Sequence, residues 1–503
     1  MVSPRKSGRK PPVLAIAIDA AEAALVRRLI DEGKMPVLQS LLERGRWIPI
    51  ESTTNVGSSS VWPTFMTGED PETHGIYSEW CWEPATMSLR PLTGDHLDTF
   101  WQKLERKGFT IGVLGIPFMP LGRLARGFEI SERPPFVLSN GSGSSNHSEA
   151  VSRKVAKDAL LHGYGQINVA GPNDLKNLQR LALDSLSGIK ARGELATRLL
   201  REGQPEISII AFTEAHEISH CLWQTVQPEH PLLQEPYLNR LAEIQPNLEE
   251  IFGEVDRQIG SIIAALAVPP AVLVFSLHGM EPGRGAPTFL TPLMCEAGFS
   301  VLAEARRQTW SDRVVHAIRD LKKRTPASFK KLYYQSLSRE AVLRLAAPTL
   351  LPQYDWARTR ALVIVEEHLS SIRVNLRGRE ARGIVTIEDY RSVCDELEQW
   401  LWTLKSVDGR ALAKQVIRTA DDGTVALKRR LPDIVVHWAD AALASPFRIS
   451  GSEGEFYRDG ERHLSQHTSE GFCILRADCE VESSPSGIAL RDLGGLIERL
   501  AIS

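Results

Sequence analysis

A run of six apolar residues, Val13–Ile18 (VLAIAI), follows Pro11-Pro12 and stops at Asp19. A strand that is apolar on both faces must be covered on both, as strands of parallel sheets are. Two amphipathic patterns come next, roughly Glu22–Glu32 and Met35–Arg44, each closed by a glycine, Gly33 and Gly45. A glycine just past the last helical residue accepts the left-handed turn that ends a helix. A strand is predicted near Trp47–Glu51, leading into the polar stretch Ser52–Ser60, then a helix over Leu97–Lys107 and a strand at Thr110–Leu114. The Gly/Ser-rich segment Leu138–Ser148 (LSNGSGSSNHS) interrupts the alternation and reads as a flexible loop. It then resumes, with a helix over Ile189–Glu202 before the strand Ile207–Phe212 (ISIIAF), and one over Pro246–Leu266 before the strand Ala271–Ser276 (AVLVFS). Later strands are predicted at Ala361–Val365, Asp433–Trp438 and Phe472–Arg476, with a helix over Ile387–Leu404. This order predicts an α/β fold, a large, mostly parallel central sheet flanked by helices.

Residues 300–355 break the pattern. They are helical in period, poor in strand signals and rich in Arg and Lys, with LKKRTPASFKK at 321–331. We read them as a helical insertion. The basic run is either a solvated face or a contact for an anionic substrate or a membrane surface. The division predicted is a basic, disordered arm over 1–11, a main domain over 12–299 and 356–503, and the insertion over 300–355.

Composition narrows the classes. Of 503 residues, 43% are hydrophobic and 24% charged, enough to bury a sizeable core. The formal net charge of −3 gives no nucleic-acid signature. Cysteines at 81, 221, 295, 394, 473 and 479 are sparse and never spaced as CxxC. They read as free thiols in a reducing compartment, or simply as small buried hydrophobes. No apolar run approaches the length of a transmembrane segment. The expected location is the cytoplasm, and a homo-oligomer is left open.

In open α/β sheets, reactive groups collect beyond the carboxyl ends of strands. Asp19 follows VLAIAI, His216 and His220 follow ISIIAF, His278 follows AVLVFS, and His467 precedes the late strand. Carboxylate and imidazole are preferred zinc ligands. His216 and His220, four apart, share a helix face and can hold one ion; they can equally be polar surface residues. With Glu217 they spell HEISH, the pattern of zinc peptidases, in which two histidines bind the metal and the Glu is the base. The charged Glu214 just upstream and Trp223 at the metzincin glycine position argue against that reading.

The second element is Val56–Gly68, a polar, Gly-containing turn running into a short apolar segment that ends at Thr67-Gly68. A serine at such a helix start lies near free backbone N–H groups that favour an anion, and a metal could activate it. Plain N-capping by one of three serines is the competing reading.

Here the residues resemble a family. Ser58, nine residues before Thr67-Gly68 and then Pro71-Glu72-Thr73-His74-Gly75-Ile76, is similar to the nucleophile region of the type I phosphodiesterases/nucleotide pyrophosphatases, a branch of the alkaline-phosphatase-like superfamily. Ser276-Leu277-His278-Gly279-Met280 resembles its Ser-Asp-His-Gly-Met motif, His467-Thr468-Ser469-Glu470-Gly471 its late His-x-x-x-Gly, and Asp19 its first ligand aspartate. The resemblance implies an alkaline-phosphatase-like fold with Ser58 as nucleophile. Asp19 and His278 would hold a metal that activates Ser58, and His216, His220 and His467 a second.

Three positions depart from the family. His216 stands where it has Asp, Leu277 replaces the Asp of Asp-His-Gly, and Glu79 replaces a phosphate-contacting Asn. Two carboxylates are thus lost, and Glu214 or Glu79 are candidate compensating ligands. Glu79 aimed at the substrate would instead repel a phosphate. The expected function is a metal-dependent hydrolase of phosphodiester or related phosphoryl/phosphonyl bonds, acting on a small phosphorylated molecule. One or two zinc ions are expected, with manganese or iron as the other metals. A catalytically degenerate binding protein and a zinc peptidase are the alternatives. His74 reads as structural. Trp62, Trp80, Trp82 and Trp223 either line the pocket or pack in the core.

Overall fold

A computed structural model describes residues 10–92, 94, 96–118, 124–130, 175–226, 240–282, 286–287, 289–303, 351–366, 369–439, 447–448, 455–456, 458–459, 465–477 and 487–502. The chain forms two compact units. The first comprises Met1–His74, Thr93–Gly283 and Glu461–Ser503; the second comprises Gly75–Leu92 and Arg284–Gly460.

An eight-stranded sheet organises the first unit. In chain order its strands are β1 (Val13–Ile18), β2 (Arg46–Glu51), β3 (Ile111–Leu114), β4 (Gly127–Ile130), β5 (Ile207–Phe212), β6 (Ala271–Ser276), β7 (Glu470–Arg476) and β8 (Ile488–Ala489). Their order across the sheet is β8-β2-β7-β6-β1-β5-β3-β4. Only β7 runs against its neighbours, β2 and β6. β1 lies between β5 and β6 with Val13 opposite Ile207 on one side and Ala271 on the other. All six residues of β1, of β5 and of β6 are buried. Full burial of each Val, Leu, Ile or Phe among them contributes about 1.5–3 kcal/mol. The central strands are therefore the least deformable part of the unit, and their carboxyl ends are fixed points.

Helices cover the sheet where the sequence gives them starts. In α1 (Ala23–Asp31), the Glu22 carboxylate accepts from the N–H groups of Ala24 and Leu25. α2 (Pro36–Glu43) begins with Pro at its first turn and has no side-chain cap of its own. Its free N–H groups at Val37 and Leu38 are taken instead by the buried Asp256 carboxylate, at 3.0 and 2.9 Å. Asp256 belongs to a long helix (Leu248–Ile263) that starts with a complete capping box between Asn247 and Glu250. α3 (Val61–Thr67) is short and wholly buried.

The predicted helix Ile189–Glu202 is much longer in the structure: α4 spans Leu175–Gly203. Gly188, the residue before the predicted start, lies inside the helix. A β-carbon there would stand 3.1 Å from the Glu214 side chain, so the glycine serves a close approach and not a turn. The helix after β5, α5, spans Glu214–Leu222.

The second unit is built on a four-stranded antiparallel sheet. Its order is Ala361–Glu366, Leu369–Val374, Ile434–Trp438, Ala413–Arg418. The strands predicted at 361–365 and 433–438 thus form, but in a separate sheet; apolar runs do not identify their own neighbours. Helix Ile387–Thr403 buries Tyr390, Val393, Cys394, Leu397 and Leu401 in this unit's core. Beneath it lies a buried ionic network. Arg373 and Arg379 both reach Glu380, at 2.7 and 2.8 Å, and Arg379 also reaches Asp433 at 2.6 Å. The Tyr390 hydroxyl donates to Asp433 at 2.7 Å. Most of the predicted insertion, residues 304–350 with the basic run 321–331, and the Gly/Ser segment 138–148 lie outside the described residues. Among the described residues no helix is long and apolar enough to cross a membrane. Cys81, Cys221, Cys295, Cys394 and Cys473 are free thiols.

Candidate metal centre

The chain leaves β1 by a sharp turn. The Asp19 N–H still donates to Phe212 O of β5 at 3.0 Å, and Ala20 then adopts a φ of +55°. A left-handed alanine is strained, so the turn is held by its surroundings. One such hold is Ser276, whose hydroxyl accepts from Ala21 N–H at 2.9 Å and donates to His278 O at 2.8 Å. That hydroxyl ties the loop after β1 to the loop after β6 and fixes Asp19 and His278 together.

Each oxygen of Asp19 has partners. Oδ1 accepts from the Trp62 indole N–H at 3.1 Å and lies 3.5 Å from His278 Nε2. Oδ2 lies 2.7 Å from His216 Nδ1. The carboxylate is buried, which alone would raise its pKa. The charge and hydrogen bond of His216, then those of His278, outweigh burial and hold it well below the usual carboxylate range.

Three elements deliver the remaining histidines. α5 presents His216 and His220 one turn apart, with their Nε2 atoms 3.0 Å from each other. A two-stranded ribbon pairs Gly279–Pro282 with Ser465–Thr468, setting His467 opposite Met280. That register brings the His467 ring to 4.4 Å from the His278 ring and its Nε2 to 2.8 Å from His216 Nε2. The ligand atoms of His216, His220 and His467 all lie within 4.8 Å of one another. Among the described residues no other trio of His, Cys, Asp or Glu side chains brings its ligand atoms together this closely.

The donor set suits a divalent cation of the zinc type. Ring nitrogens facing one another at 2.8–3.0 Å can satisfy only some of their contacts as N–H donors. A shared cation would use all three lone pairs. Two of the outward nitrogens, those of His216 and His220, are supported in the way metal-bound imidazoles require. His216 Nδ1 is on Asp19, and His220 Nδ1 is 3.1 Å from Ser465 Oγ and 3.3 Å from its carbonyl.

The other predicted residues fall as follows. Ser58 is half-buried and opens the 3₁₀ turn Ser58–Ser60 that runs into α3, while Ser59 and Ser60 are buried. Trp62, one turn further on, fastens α3 to Asp19. Glu214 is gripped by Arg192, whose Nε lies 2.9 and 3.1 Å from its two oxygens while Nη2 donates to Thr213 Oγ1 at 3.3 Å. Glu79 belongs to the second unit, where its carbonyl accepts from Leu92 N–H. His74 is buried against α3, its Nε2 3.0 Å from Thr64 Oγ1. Burial and then the nearby His96, against Asp70, push its pKa down to about 4.

Two contributors, Arg192 and Ser465, are not among the predicted residues. Arg192 sits in mid-helix with no motif around it; its guanidinium occupies the space beside Gly115, where a β-carbon would lie 1.7 Å from Nη1. Ser465 was legible in principle, since it is two residues before His467 and so on the same strand face.

The profile of the family described as type I phosphodiesterase/nucleotide pyrophosphatase matches residues 13–463. Among solved structures, the chain resembles phosphonoacetate hydrolase from Sinorhizobium meliloti 1021 in complex with phosphonoformate. Identity is 15%, coverage is 98% of this chain and 96% of that chain, and the TM-score is 0.54. The same hydrolase in complex with phosphonoacetate gives 15% identity, the same two coverages and a TM-score of 0.53. Human ectonucleotide pyrophosphatase/phosphodiesterase 5 matches at 12% identity over 98% of this chain and 95% of that chain, with a TM-score of 0.42. No curated protein matches the chain.

Proposed function

The chain belongs to the type I phosphodiesterase/nucleotide pyrophosphatase family, with an alkaline-phosphatase-like fold, and from that premise we propose that it is a metal-dependent hydrolase of phosphodiester or related phosphoryl and phosphonyl bonds. The observation that carries this reading is the convergence of His216, His220 and His467 in front of Asp19, beside the carboxyl ends of β1, β5 and β6. A bound divalent cation would supply Lewis-acid polarisation of a phosphoryl oxygen and favour the ionised form of a nearby hydroxyl.

The chain's own residues supply the rest. Ser58 is the candidate nucleophile, at a helical start whose first N–H groups have no partner within the helix and favour an anionic oxygen. α3 is held in place at two points, by Trp62 on Asp19 and by Thr64 on His74. Asp19 keeps His216 in one tautomer, with Nε2 turned toward the other two rings. Arg192 neutralises Glu214 at the first turn of α5, so that no unpaired carboxylate competes at that end.

The test is turnover of a panel of nitrophenyl phosphodiesters, phosphate monoesters, phosphonates and sulfates by the full-length protein. Activity on phosphodiesters or phosphonates should vanish after chelation and return with zinc or manganese. Turnover that survives complete chelation would contradict the reading.

A further inference from the structure

We propose that this chain holds one metal ion and not two, bound by His216, His220 and His467, with Asp19 outside the coordination sphere as the carboxylate that orients His216. The inference rests on the metal-dependent reading given above and deepens it.

Three observations carry it. First, three nitrogens converge in one place, and with one open position they complete a catalytic zinc sphere. Second, Asp19 is already in use. Its Oδ2 is on His216 Nδ1 at 2.7 Å and its Oδ1 on the Trp62 N–H at 3.1 Å. An indole N–H only donates and cannot coordinate a cation through that atom. Trp62 is buried in α3 and packed edge-on against Phe65, with ring centroids 5.8 Å apart, so it does not readily swing aside. Third, what is left for another ion is thin. His278 Nε2 stands 3.5 Å from the same, already occupied oxygen. The residue before it, Leu277, is buried and apolar where a further donor would be needed. Among the described His, Cys, Asp and Glu side chains no trio of ligand atoms gathers around His278, and one nitrogen with one shared oxygen falls short of the three protein ligands of a catalytic zinc. Asp19–His216–metal is then a carboxylate–histidine–metal chain, whose outer member tunes affinity without touching the ion.

The experiment is zinc titration of the full-length protein, depleted of metal and then loaded, read by elemental mass spectrometry and by isothermal calorimetry. Wild type is expected to retain one equivalent. Asp19→Asn is expected to retain one equivalent as well, with affinity about 10- to 100-fold weaker, the usual effect of losing an outer carboxylate. Two tight equivalents in wild type would overturn the inference and leave the metal-dependent reading standing. Complete loss of binding in a folded Asp19→Asn protein would make Asp19 a direct ligand and overturn it too. No zinc in wild type would overturn both. Should Asp19→Asn misfold by circular dichroism, His278→Ala gives the same comparison: one equivalent with unchanged affinity is expected, and loss of the ion would contradict the proposal.

Discussion

His216 Nδ1 and Asp19 Oδ2 stand 2.7 Å apart, joining positions 197 residues apart in the chain. The contact spans two neighbouring parallel strands, since Asp19 directly follows β1 and His216 lies one helical turn past β5. It decides which nitrogen of His216 faces His220 and His467. Replacing His220 by alanine leaves this contact in place and removes one of the three converging nitrogens. At zinc concentrations about 1,000 times the dissociation constant, wild type should gain about 4 kcal/mol of stability by mass action. His220→Ala should gain little of it. Denaturant unfolding with and without zinc checks this, and equal stabilisation of both proteins would count against the three-histidine site.

Arg192 and Glu214 form a buried pair at the start of the helix that carries His216 and His220. Removing one partner of such a pair strands a buried charge and costs about 3–5 kcal/mol. Arg192→Leu should therefore be strongly destabilised, and Arg192→Leu with Glu214→Leu should recover much of the loss. Zinc affinity should fall in the single variant, because α5 loses its anchor. A double-mutant cycle by urea unfolding measures the first effect and calorimetry the second.

His74 gives a pH dependence with a definite sign. Its folded pKa, about 4, lies below the ordinary value of 6.5 because burial disfavours the imidazolium. The unfolded chain then takes up the proton first, so stability is complete above about 6.5 and is lost as pH falls toward 4. Urea midpoints measured from pH 7 to pH 4 should drop more steeply for wild type than for His74→Asn. Parallel curves would show that His74 does not titrate this way.

The histidine pair at 216 and 220, with Glu217 between them, also spells a peptidase motif. If Glu217 were the general base, Glu217→Gln would lower turnover by about 10²–10⁴. The phosphoryl-hydrolase account expects phosphodiester turnover by Glu217→Gln to stay close to wild type. A loss of that size would bring the glutamate into the mechanism.

Much of the architecture was legible because buried parallel strands are apolar on both faces. Ile207–Phe212 and Ala271–Ser276 have in the structure the bounds their sequences suggest. The place of the candidate site was legible, since Asp19, His278 and the pair on α5 all lie just past strand ends. What the sequence hid depends on tertiary approach. The packing of Gly188 against Glu214, inside a helix that begins at Leu175, is invisible in one dimension. Arg192 carries no local signal, and neither do the hydrogen bonds that engage Asp19 with Trp62 and His216. The strands at 361–366 and 434–438 were found but their sheet was not, because an apolar run does not name its partner.

Serine- and metal-dependent hydrolysis is tested most directly by comparing zinc-loaded wild type with zinc-loaded Ser58→Ala on a nitrophenyl phosphodiester and on a phosphonate. Both proteins should show the same fold by circular dichroism and the same zinc content. The account predicts that kcat in Ser58→Ala falls by at least about a thousandfold, as loss of a nucleophile does. Turnover at the wild-type rate by a folded, metal-loaded Ser58→Ala protein would contradict it.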